Sequence, residues 1–319
     1  MWCRNCNIET NAEVCPVCGS TTAEDTPVEV QWCSHCAIPV VTTFNQPDKN
    51  VCPLCGGKTK YISTDLRPVF PEERLLIEIL LKKVPNFWKD KSVWACNNRY
   101  YVDGKSIIVP NSIYEINNPD EIASQLQTAK GKNSSEAFIR YIGLFVQANR
   151  RRLAFLKDEA YQFIQHAADS FDPEQIVVSF SGGKDSTVTA DLAIKALSNP
   201  SLVHIFGDTT LEFPSTSEYA ERYRLFHPEA IFQIARNDDQ NFYDVCDDIG
   251  PPARMMRWCC SMFKTGPITR IINSLYGSEQ ILTFYGIRKS ESVSRSKYNR
   301  IEDSADAVKI KQQTVASPI

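Results

Sequence analysis

The second half of the chain alternates short apolar runs with amphipathic stretches. Four runs, IVVSF, LVHIFGD, IFQIA and ILTFYGI, follow Asp172 and have the length of buried strands. Helical patterns near residues 186–197 and 217–226 separate the first three runs. Strands that alternate with helices lie parallel, and a parallel sheet that is covered on both faces has continuously apolar strands. The pattern therefore predicts an α/β domain with a parallel sheet and helices on both faces.

An amphipathic pattern leads into this alternation and predicts one long helix over about residues 134–171, with Asn133 and Glu136 as a capping pair. The triplet Arg150–Arg152 lies on this helix, and we interpret these cations as a solvated face rather than a phosphate contact. We assign the leading helix and the sheet to one domain, residues 133–319. The sequence ends within an extended segment, so we expect that the natural protein is longer.

Residues 66–132 have a weaker pattern, and we interpret them as an accessory α+β region. Apolar positions recur at helical spacing over residues 73–84, whereas residues 94–116 have the pattern of short strands. The Asp103-Gly104 pair between two of these strands favours a tight hairpin turn.

Residues 1–65 hold eight of the twelve cysteines, arranged as four C-x-x-C pairs. In a reducing compartment such pairs indicate metal rather than disulfides, and two pairs can close one tetrahedral zinc site. We predict two structural zinc-ribbon modules that need metal to fold, with iron in a rubredoxin-like site as the alternative. Pairing in sequence order and an interleaved pairing both stay open. The predicted ligands are Cys3, Cys6, Cys15, Cys18, Cys33, Cys36, Cys52 and Cys55.

The composition of the 319-residue chain is that of a folded globular protein, with 43% hydrophobic and 23% charged residues. No run approaches the roughly 20 apolar residues needed to cross a bilayer, and the N-terminus lacks a secretory signal pattern. We therefore expect a cytoplasmic protein without membrane association. A formal net charge of −3 argues against a broadly electropositive nucleic-acid binder. Zinc ribbons dock proteins and nucleic acids equally well, so a partner of either kind stays open.

The segment Ile176–Ser186 places a Gly-rich turn between a predicted strand and a predicted helix. Such a turn lets backbone N–H groups approach phosphate closely, and the helix N-terminus adds a partial positive charge. Lys184 adds a full cation, and the hydroxyls of Ser181 and Ser186 can donate to phosphate oxygens. Asp185 is expected to hold Mg²⁺ or to cap the loop. The spacing differs from the Walker A motif, which disfavours a kinase or a GTPase.

The sequence SGGKDS after a strand resembles the pyrophosphate (PP) loop of the adenine-nucleotide alpha-hydrolase superfamily. Three further segments resemble motifs of its phosphoadenosine phosphosulfate (PAPS) reductase branch: GDTTLEFP at 207–214, WCC at 258–260 and GIRKSESVSR at 286–295. The resemblance covers residues 172–319, about half of the chain. It implies a Rossmann-like PP-loop fold and an enzyme that cleaves a nucleotide.

The resemblance also implies roles for individual residues. The loop would bind the polyphosphate, Asp208 and Thr209 would lie at the adenosine, and Arg288 and Arg295 would bind the anionic group of the substrate through their bidentate guanidinium groups. A solvated basic loop is the alternative interpretation of the two arginines. The expected catalytic residues are Lys184, Asp185 and Arg288, and the expected nucleotide-binding residues are Ser181, Gly182, Gly183, Lys184, Asp185, Ser186, Asp208, Thr209, Arg288 and Arg295.

Two departures from the reductase pattern bear on the reaction. PAPS and adenylyl-sulfate reductases tend to lack the loop lysine, whereas this chain keeps Lys184. This favours cleavage of ATP with Mg²⁺ between the α and β phosphates, which would activate a group for sulfur transfer, as in ATP sulfurylase or the DNA-phosphorothioation enzymes. The assimilatory reductases also use a C-terminal catalytic cysteine, and no cysteine follows Cys260 here.

The tandem Cys259-Cys260 resembles half of an iron–sulfur site. Because clusters are held by sets of four thiolates, an iron–sulfur cluster would need a further cysteine pair from a longer chain. Otherwise the two residues are packing residues or a sulfur acceptor.

We therefore expect a PP-loop ATP pyrophosphatase of the PAPS reductase-like branch, with ATP or a sulfonucleotide as its ligand. Three alternatives stay open: a PAPS or adenylyl-sulfate reductase, a zinc-dependent tRNA thiolation enzyme, and a non-catalytic zinc-ribbon adaptor with a vestigial nucleotide site. Sulfite release would indicate the reductase, and salt-dependent RNA binding would indicate the tRNA thiolation enzyme. A lack of nucleotide binding would indicate the adaptor.

Overall fold

The chain forms two compact units, Met1–Phe155 and Leu156–Ile319. The division falls inside a helix, whereas the sequence predicts a domain boundary between residues 132 and 133. A further division of the first unit at residue 65 stays a prediction. The computed structural model describes residues 1–3, 5–6, 8–10, 12–23, 28–43, 48–96, 99–109, 118–131, 135–288, 299–303 and 313–319.

The first unit consists of short antiparallel strands and helices. Its strands are β1 (Trp2–Cys3), β2 (Ile8–Glu9), β3 (Val28–Cys33), β4 (Ile38–Thr43), β5 (Thr59–Ser63), β6 (Arg67–Pro68), β7 (Val93–Cys96), β8 (Arg99–Val102) and β9 (Lys105–Ile108), and its helices are α1 (Pro71–Leu80), α2 (Pro119–Lys130) and α3 (Glu136–Ala148). Strand β1 pairs with β2, β3 lies between β4 and β5, and β6 to β9 pair in chain order.

The accessory region has the mixed structure that its pattern predicts. Helix α1 begins at Pro71, with acidic residues in its first turn, and ends four residues before the predicted end. Strands β8 and β9 are joined by the predicted turn, in which Asp103 and Gly104 have φ angles of 48° and 78°. Positive φ at both central residues is typical of the type I′ turn.

The prediction of one long helix over residues 134–171 is wrong, because the structure has two helices, α3 and α4 (Arg150–Ala168), that meet at Asn149. The Asn149 side chain accepts a hydrogen bond from the backbone N–H of Val41 at 2.6 Å and donates to the carbonyl oxygen of Pro39 at 3.2 Å. An asparagine that bonds backbone groups in this way competes with the helical hydrogen bonds. The predicted cap residue Asn133 lies outside the described residues.

The second unit is the predicted α/β fold. Its elements after α4 are β10 (Ile176–Phe180), α5 (Lys184–Leu197), β11 (Val203–Asp208), α6 (Pro214–Phe226), β12 (Ile231–Arg236), α7 (Phe242–Ile249), α8 (Trp258–Cys260), α9 (Gly266–Tyr276), β13 (Ile281–Phe284), β14 (Ile301–Asp303) and β15 (Gln313–Ala316), with a 3-10 turn at Pro173–Gln175 and a π turn at Ser261–Thr265. The described strands form a six-stranded sheet in the order β12-β11-β10-β13-β15-β14, and every neighbouring pair is parallel except β15 with β14.

Hydrophobic residues cover both faces of this sheet, since successive side chains of a strand point to opposite faces. On one face Val178 and Phe180 pack with Ile164 of α4 and with alanines of α5. On the other face Val177 packs with Ile268 and its neighbours on α9. Because both faces are covered, strands β10 to β13 are mostly apolar, and the sequence predicted these four strands. It did not predict β14 and β15. In the part of the chain that the structure describes, no helix is both long and apolar enough to span a membrane.

His204 on β11 is fully buried next to the strand that leads into the Gly-rich loop. Its Nδ1 donates to the carbonyl oxygen of Leu202 at 2.7 Å, since a carbonyl can only accept. Its Nε2 therefore accepts a hydrogen bond from the Tyr223 hydroxyl at 3.3 Å. Both bonds suit a neutral imidazole, and burial lowers the pKa of His204 from its ordinary value.

We expect stability to fall on acidification through His204. The unfolded histidine binds a proton below its pKa of about 6.5, whereas the folded one stays neutral to lower pH. The stabilisation that neutral His204 provides is therefore complete above about pH 6.5. It is lost as the pH falls towards the folded-state pKa, and the free energy of unfolding decreases by at most about 1.4 kcal/mol per pH unit. Urea titrations near neutral and mildly acidic pH should show a smaller loss in His204→Phe than in the wild type; equal losses would assign the effect to other groups.

Candidate nucleotide site and metal clusters

The eight N-terminal cysteines form two clusters of four, and in each the sulfur atoms lie within 4.8 Å of one another. The first cluster consists of Cys3, Cys6, Cys15 and Cys18, and the second of Cys33, Cys36, Cys52 and Cys55. The C-x-x-C pairs therefore combine in sequence order, and the interleaved alternative is wrong.

The spacing of the sulfur atoms fits a tetrahedral metal site. Zinc–sulfur bonds of about 2.3 Å separate the sulfurs of such a site by about 3.8 Å. The observed separations are 3.5 Å between Cys3 and Cys18, 3.6 Å between Cys33 and Cys55, and 3.9 Å between Cys36 and Cys52. A disulfide would need about 2.05 Å, so the two clusters are not disulfides and could each hold a metal ion.

Local hydrogen bonds favour the thiolate form of one cysteine in each cluster. Bonds with Ser20 lower the pKa of Cys18 to about 6, and a bond from the backbone N–H of Gly57 lowers the pKa of Cys55 to about 7. Hydrogen bonding to Cys18 conversely raises the pKa of Cys6 to about 12. A metal ion that binds all four sulfurs of a cluster must therefore displace protons from the weaker acids.

The two clusters differ in how they are connected to the hydrophobic core. Cys33 and Cys52 pack with Ile38 and Val40 of β4 and with residues of α3. Among the described residues, the cysteines of the first cluster belong to no such core group. The second cluster is therefore part of a hydrophobic core of the first unit, whereas the first cluster is outside these core groups.

We expect unequal consequences when each site is broken. Cys52→Ser should expose the amides of α3 to hydrogen exchange, because the core that holds this helix includes Cys52. Cys15→Ser, at an equally buried ligand of the first site, should leave α3 protected. Hydrogen–deuterium exchange with metal analysis checks both variants, each of which should lose one metal ion. Equal deprotection of α3 in the two variants would contradict this distinction.

The Gly-rich loop follows β10 and opens α5, as the sequence predicts. Gly182 has a φ of 69°, a left-handed conformation that glycine adopts readily. The Ser186 hydroxyl donates to the carbonyl oxygen of Gly183 at 3.0 Å and accepts from the backbone N–H of Ser181 at 3.2 Å. These bonds close the turn tightly over the first turn of α5, whose N–H groups have no partner within the helix. Such a helix start is an anion-binding geometry.

Three charged side chains converge at this loop. The Lys184 ammonium group lies 2.7 Å from Oδ2 of Asp185, and Nη2 of Arg288 lies 3.2 Å from the same oxygen. Arg288 follows the end of β13, so the contact joins two neighbouring strands of the sheet at their carboxyl ends. The structure thus brings the three predicted catalytic residues together, and their catalytic roles remain proposals.

Gly286 allows this convergence by its lack of a side chain. A Cβ atom at this position would lie 2.6 Å from the carbonyl carbon of Asp185 and 2.7 Å from the backbone nitrogen of Ser186. Both distances are far below van der Waals contact, and both partners are backbone atoms. The segment after β13 therefore approaches the start of α5 at a distance that only glycine permits. The sequence analysis missed this role, although a glycine within a predicted strand such as ILTFYGI indicates a close backbone approach.

Asp208 and Thr209 lie at the carboxyl end of β11, beside the loop strand. The Asp208 carboxylate accepts from the backbone N–H of Thr210 at 2.9 Å and lies 3.4 Å from Nη1 of Arg236. Both the backbone N–H and the hydroxyl of Thr209 donate to the carboxylate of Glu212, at 3.0 and 2.7 Å. The sequence analysis gave no role to Arg236, and it quoted Glu212 only as part of the motif GDTTLEFP. The signal for both was their position at or after the carboxyl end of a strand.

Three further predicted site residues, Arg295, Cys259 and Cys260, are not shown to take part in the loop site. Arg295 lies outside the described residues. Cys260 is exposed and Cys259 is half-buried, and burial raises the pKa of the Cys259 thiol. In the described ranges, the two cysteines are not part of a potential metal-binding group, so the iron–sulfur hypothesis stays a prediction. Trp258 beside them packs on Phe242, with ring centroids 5.2 Å apart.

A family model for the phosphoadenosine phosphosulfate reductase domain matches residues 175–316. An uncharacterised protein of Methanocaldococcus jannaschii is 35% identical over 187 residues, which are 59% of this chain and 36% of the relative. A second uncharacterised protein of the same organism is 28% identical over 155 residues, which are 48% of this chain and 36% of that relative. The chain thus spans about a third of the length of these relatives.

Solved structures similar to part of this chain include a phosphoadenylyl-sulfate (PAPS) reductase from Candida auris in a phosphate complex, with 15% sequence identity and a TM-score of 0.38, covering 55% of this chain and 77% of that chain. They also include an FMN adenylyltransferase from Candida glabrata in complex with ATP, with 15% identity and a TM-score of 0.37, covering 51% of this chain and 50% of that chain.

Proposed function

We propose that the chain, whose residues 175–316 match the family model for the phosphoadenosine phosphosulfate reductase domain, is a nucleotide-binding enzyme that cleaves ATP between its α and β phosphates. Its product would be an adenylated group activated for sulfur transfer. The observation that carries this proposal is the complete loop at the start of α5, with Lys184 and Arg288 converging on it. Two cations and a helix N-terminus suit the triphosphate of ATP better than the phosphosulfate group of a sulfonucleotide, which has no pyrophosphate.

The residues of the loop support a mechanism of positioning and charge stabilisation. Phosphate oxygens would accept hydrogen bonds from the N–H groups at the start of α5, while Lys184 and Arg288 bind the β and γ phosphates. An acceptor oxygen attacks the α-phosphorus, the bond to the β-phosphate oxygen breaks, and its electron pair leaves with pyrophosphate. Negative charge grows on this leaving group, and fixed cations stabilise it without reorganisation. No side-chain nucleophile is needed.

The Asp185 carboxylate fits the oxygen ligands that Mg²⁺ prefers, and it lies beside the cations that would bind phosphate. Mg²⁺ bound there would neutralise charge on the phosphates. At the end of β11, Asp208 and Thr209 are suitably positioned for the adenosine, since nucleotides in such sheets lie beyond the carboxyl ends of neighbouring strands. Arg236 would hold the Asp208 carboxylate in place.

We further infer that the two cysteine clusters hold zinc as closed structural sites. Four thiolates leave no open coordination position, so these ions would fold the N-terminal segment and present a docking surface for a protein or a nucleic acid. Metal–thiolate sites of this kind are typical of a reducing compartment, which supports a cytoplasmic location.

The proposal is tested by incubating the purified protein with ATP and Mg²⁺ and with PAPS and a dithiol reductant in parallel. Pyrophosphate formation from ATP, with AMP or an adenylated product, is expected. Sulfite from PAPS without pyrophosphate from ATP would overturn the proposal in favour of a reductase. Nucleotide binding without either reaction would favour a non-catalytic adaptor. Pyrophosphate release that depends on tRNA would indicate a tRNA thiolation enzyme.

A sulfonucleotide reductase is the second candidate, because the family model itself describes that domain and Cys259 lies in the matched region. Reduction of PAPS transfers two electrons to the sulfate sulfur, and the sulfite leaves adenosine bisphosphate behind. A dithiol must supply these electrons. Cys259→Ser should abolish sulfite formation in that case, but should leave pyrophosphate release unchanged if ATP is the substrate.

A further inference from the structure

The carboxylate of Asp185 forms ion pairs with the two cationic side chains that would bind the polyphosphate. Its Oδ2 atom lies 2.7 Å from the Lys184 ammonium group and 3.2 Å from the Arg288 guanidinium group. The Lys184 side chain is 73% exposed and that of Arg288 is 42% exposed, whereas only 23% of the Asp185 side chain is exposed. Both cations can therefore be reached from solvent while they contact the carboxylate between them.

We propose that Asp185 competes with the polyphosphate for Lys184 and Arg288, so that its carboxylate becomes a strong ligand for a divalent cation only after phosphate oxygens have taken over both cations. This inference rests on the proposed function and adds a rule for the same site, namely that metal affinity depends on the nucleotide. Asp185 acts in this scheme as an internal substitute for a phosphate group.

The electrostatics of the three side chains support this exchange. Two positive charges within about 3 Å of one carboxylate oxygen cancel the negative potential that would attract Mg²⁺. Phosphate oxygens are good acceptors for both cations, and they offer arginine the same bidentate geometry as a carboxylate. When the two cations bind phosphate instead, the negative charge of the Asp185 carboxylate is no longer neutralised and can attract a divalent ion. Linkage then requires metal and nucleotide to raise each other's affinity by the same factor.

The test uses calorimetric titration of the full chain with ATP, and separately with inorganic pyrophosphate, in EDTA and in Mg²⁺ at constant ionic strength. The variant is Asp185→Asn, which removes the competing charge and keeps the shape. The matched control is Asp191→Asn on the same helix, since Asp191 pairs with Lys195 at the same distance of 2.7 Å but lies away from the loop.

In EDTA, Asp185→Asn should bind both ligands about 3- to 10-fold more tightly than the wild type, which is the range of one or two exposed ion pairs. Mg²⁺ should tighten binding to the wild type and to Asp191→Asn, but it should change the affinity of Asp185→Asn little beyond the effect of Mg²⁺ on the ligand itself. Unchanged or weaker binding of Asp185→Asn in EDTA would overturn the inference, and so would a Mg²⁺ effect equal to that of the wild type. No binding of ATP by the wild type in either condition would instead refute the proposed function.

A second variant keeps the inference testable if Asp185→Asn does not fold. Arg288→Gln removes one of the two competing cations, so Mn²⁺ should bind several-fold more tightly to this variant than to the wild type when no nucleotide is present. Electron paramagnetic resonance of free Mn²⁺ measures this directly. Equal Mn²⁺ affinity in the two proteins would show that the cations do not mask Asp185, and the inference would be wrong.

Discussion

Lys184→Ala is expected to lower the rate of pyrophosphate release from ATP by about 100- to 1000-fold, the effect of removing one preorganised charge-stabilising group. Lys184 is one of the two cationic side chains at the loop, and its side chain is exposed to solvent. The charge that it would stabilise grows as pyrophosphate leaves. The loss should therefore be larger in kcat than in the affinity for ATP. Single-turnover assays with radiolabelled ATP would measure the two effects separately.

Lys195→Ala is the matched control for this variant. Lys195 lies on the same helix α5 and also pairs with an aspartate at 2.7 Å, but it is in the last turn, far from the loop. Its removal should leave pyrophosphate release within about twofold of the wild type, as for most surface substitutions. Undiminished release by Lys184→Ala would place the reaction at another site.

Gly286→Ala is expected to abolish nucleotide binding at the loop and to destabilise the second unit. The new methyl group would lie 2.6 to 2.8 Å from backbone atoms of Asp185 and Ser186, which cannot move aside as a flexible side chain can. Overpacking of this kind typically costs about 1–3 kcal/mol. Either the start of α5 or the segment after β13 must shift, and each shift separates Arg288 from Asp185. Thermal unfolding and ATP titration report the two losses.

Gly143→Ala provides the corresponding control. A Cβ atom at this glycine of α3 would contact nothing within 4 Å, and its backbone is helical. Alanine is favoured over glycine in a helix by up to about 1 kcal/mol, so this variant should be as stable as the wild type or more stable. If Gly286→Ala bound ATP as Gly143→Ala does, the close approach at residue 286 would have no functional role.

Features encoded in short stretches of sequence were predictable. Strands β10 to β13 could be recognised because both faces of the sheet are covered, which makes these strands mostly apolar. Strands β14 and β15 were not predicted, since each is short and contains polar residues. The loop could be recognised because its glycines, lysine and hydroxyls are consecutive. The candidate metal ligands could be recognised because the two cysteines of each pair are only three positions apart, although the combination of the pairs into two clusters required the structure.

Features that depend on distant residues were not predictable. Helix α3 ends at Asn149 because that side chain bonds to β4, more than 100 residues earlier in the chain. The contact between Asp185 and Arg288 likewise joins segments that only the parallel order of β10 and β13 brings together. Helices α2 and α9 each have a proline near their start, a residue that favours a turn in isolation but also suits the first turn of a helix.

The division between the two units lies inside α4, and this limits how the chain can be separated into fragments. Domain boundaries usually fall in exposed linkers. Here, a fragment that ends with α4 would include Ile164 but not the residues of the second unit that pack against it. Ile164 would then be exposed to solvent. A cut at the boundary that the sequence suggests would instead remove α3 from the core that contains Cys52. A cut directly after Asn149, where α3 meets α4, avoids both losses, because Cys52 and Ala148 stay in one fragment and Ile164 stays in the other. A fragment border for cloning is therefore set by this junction between two helices.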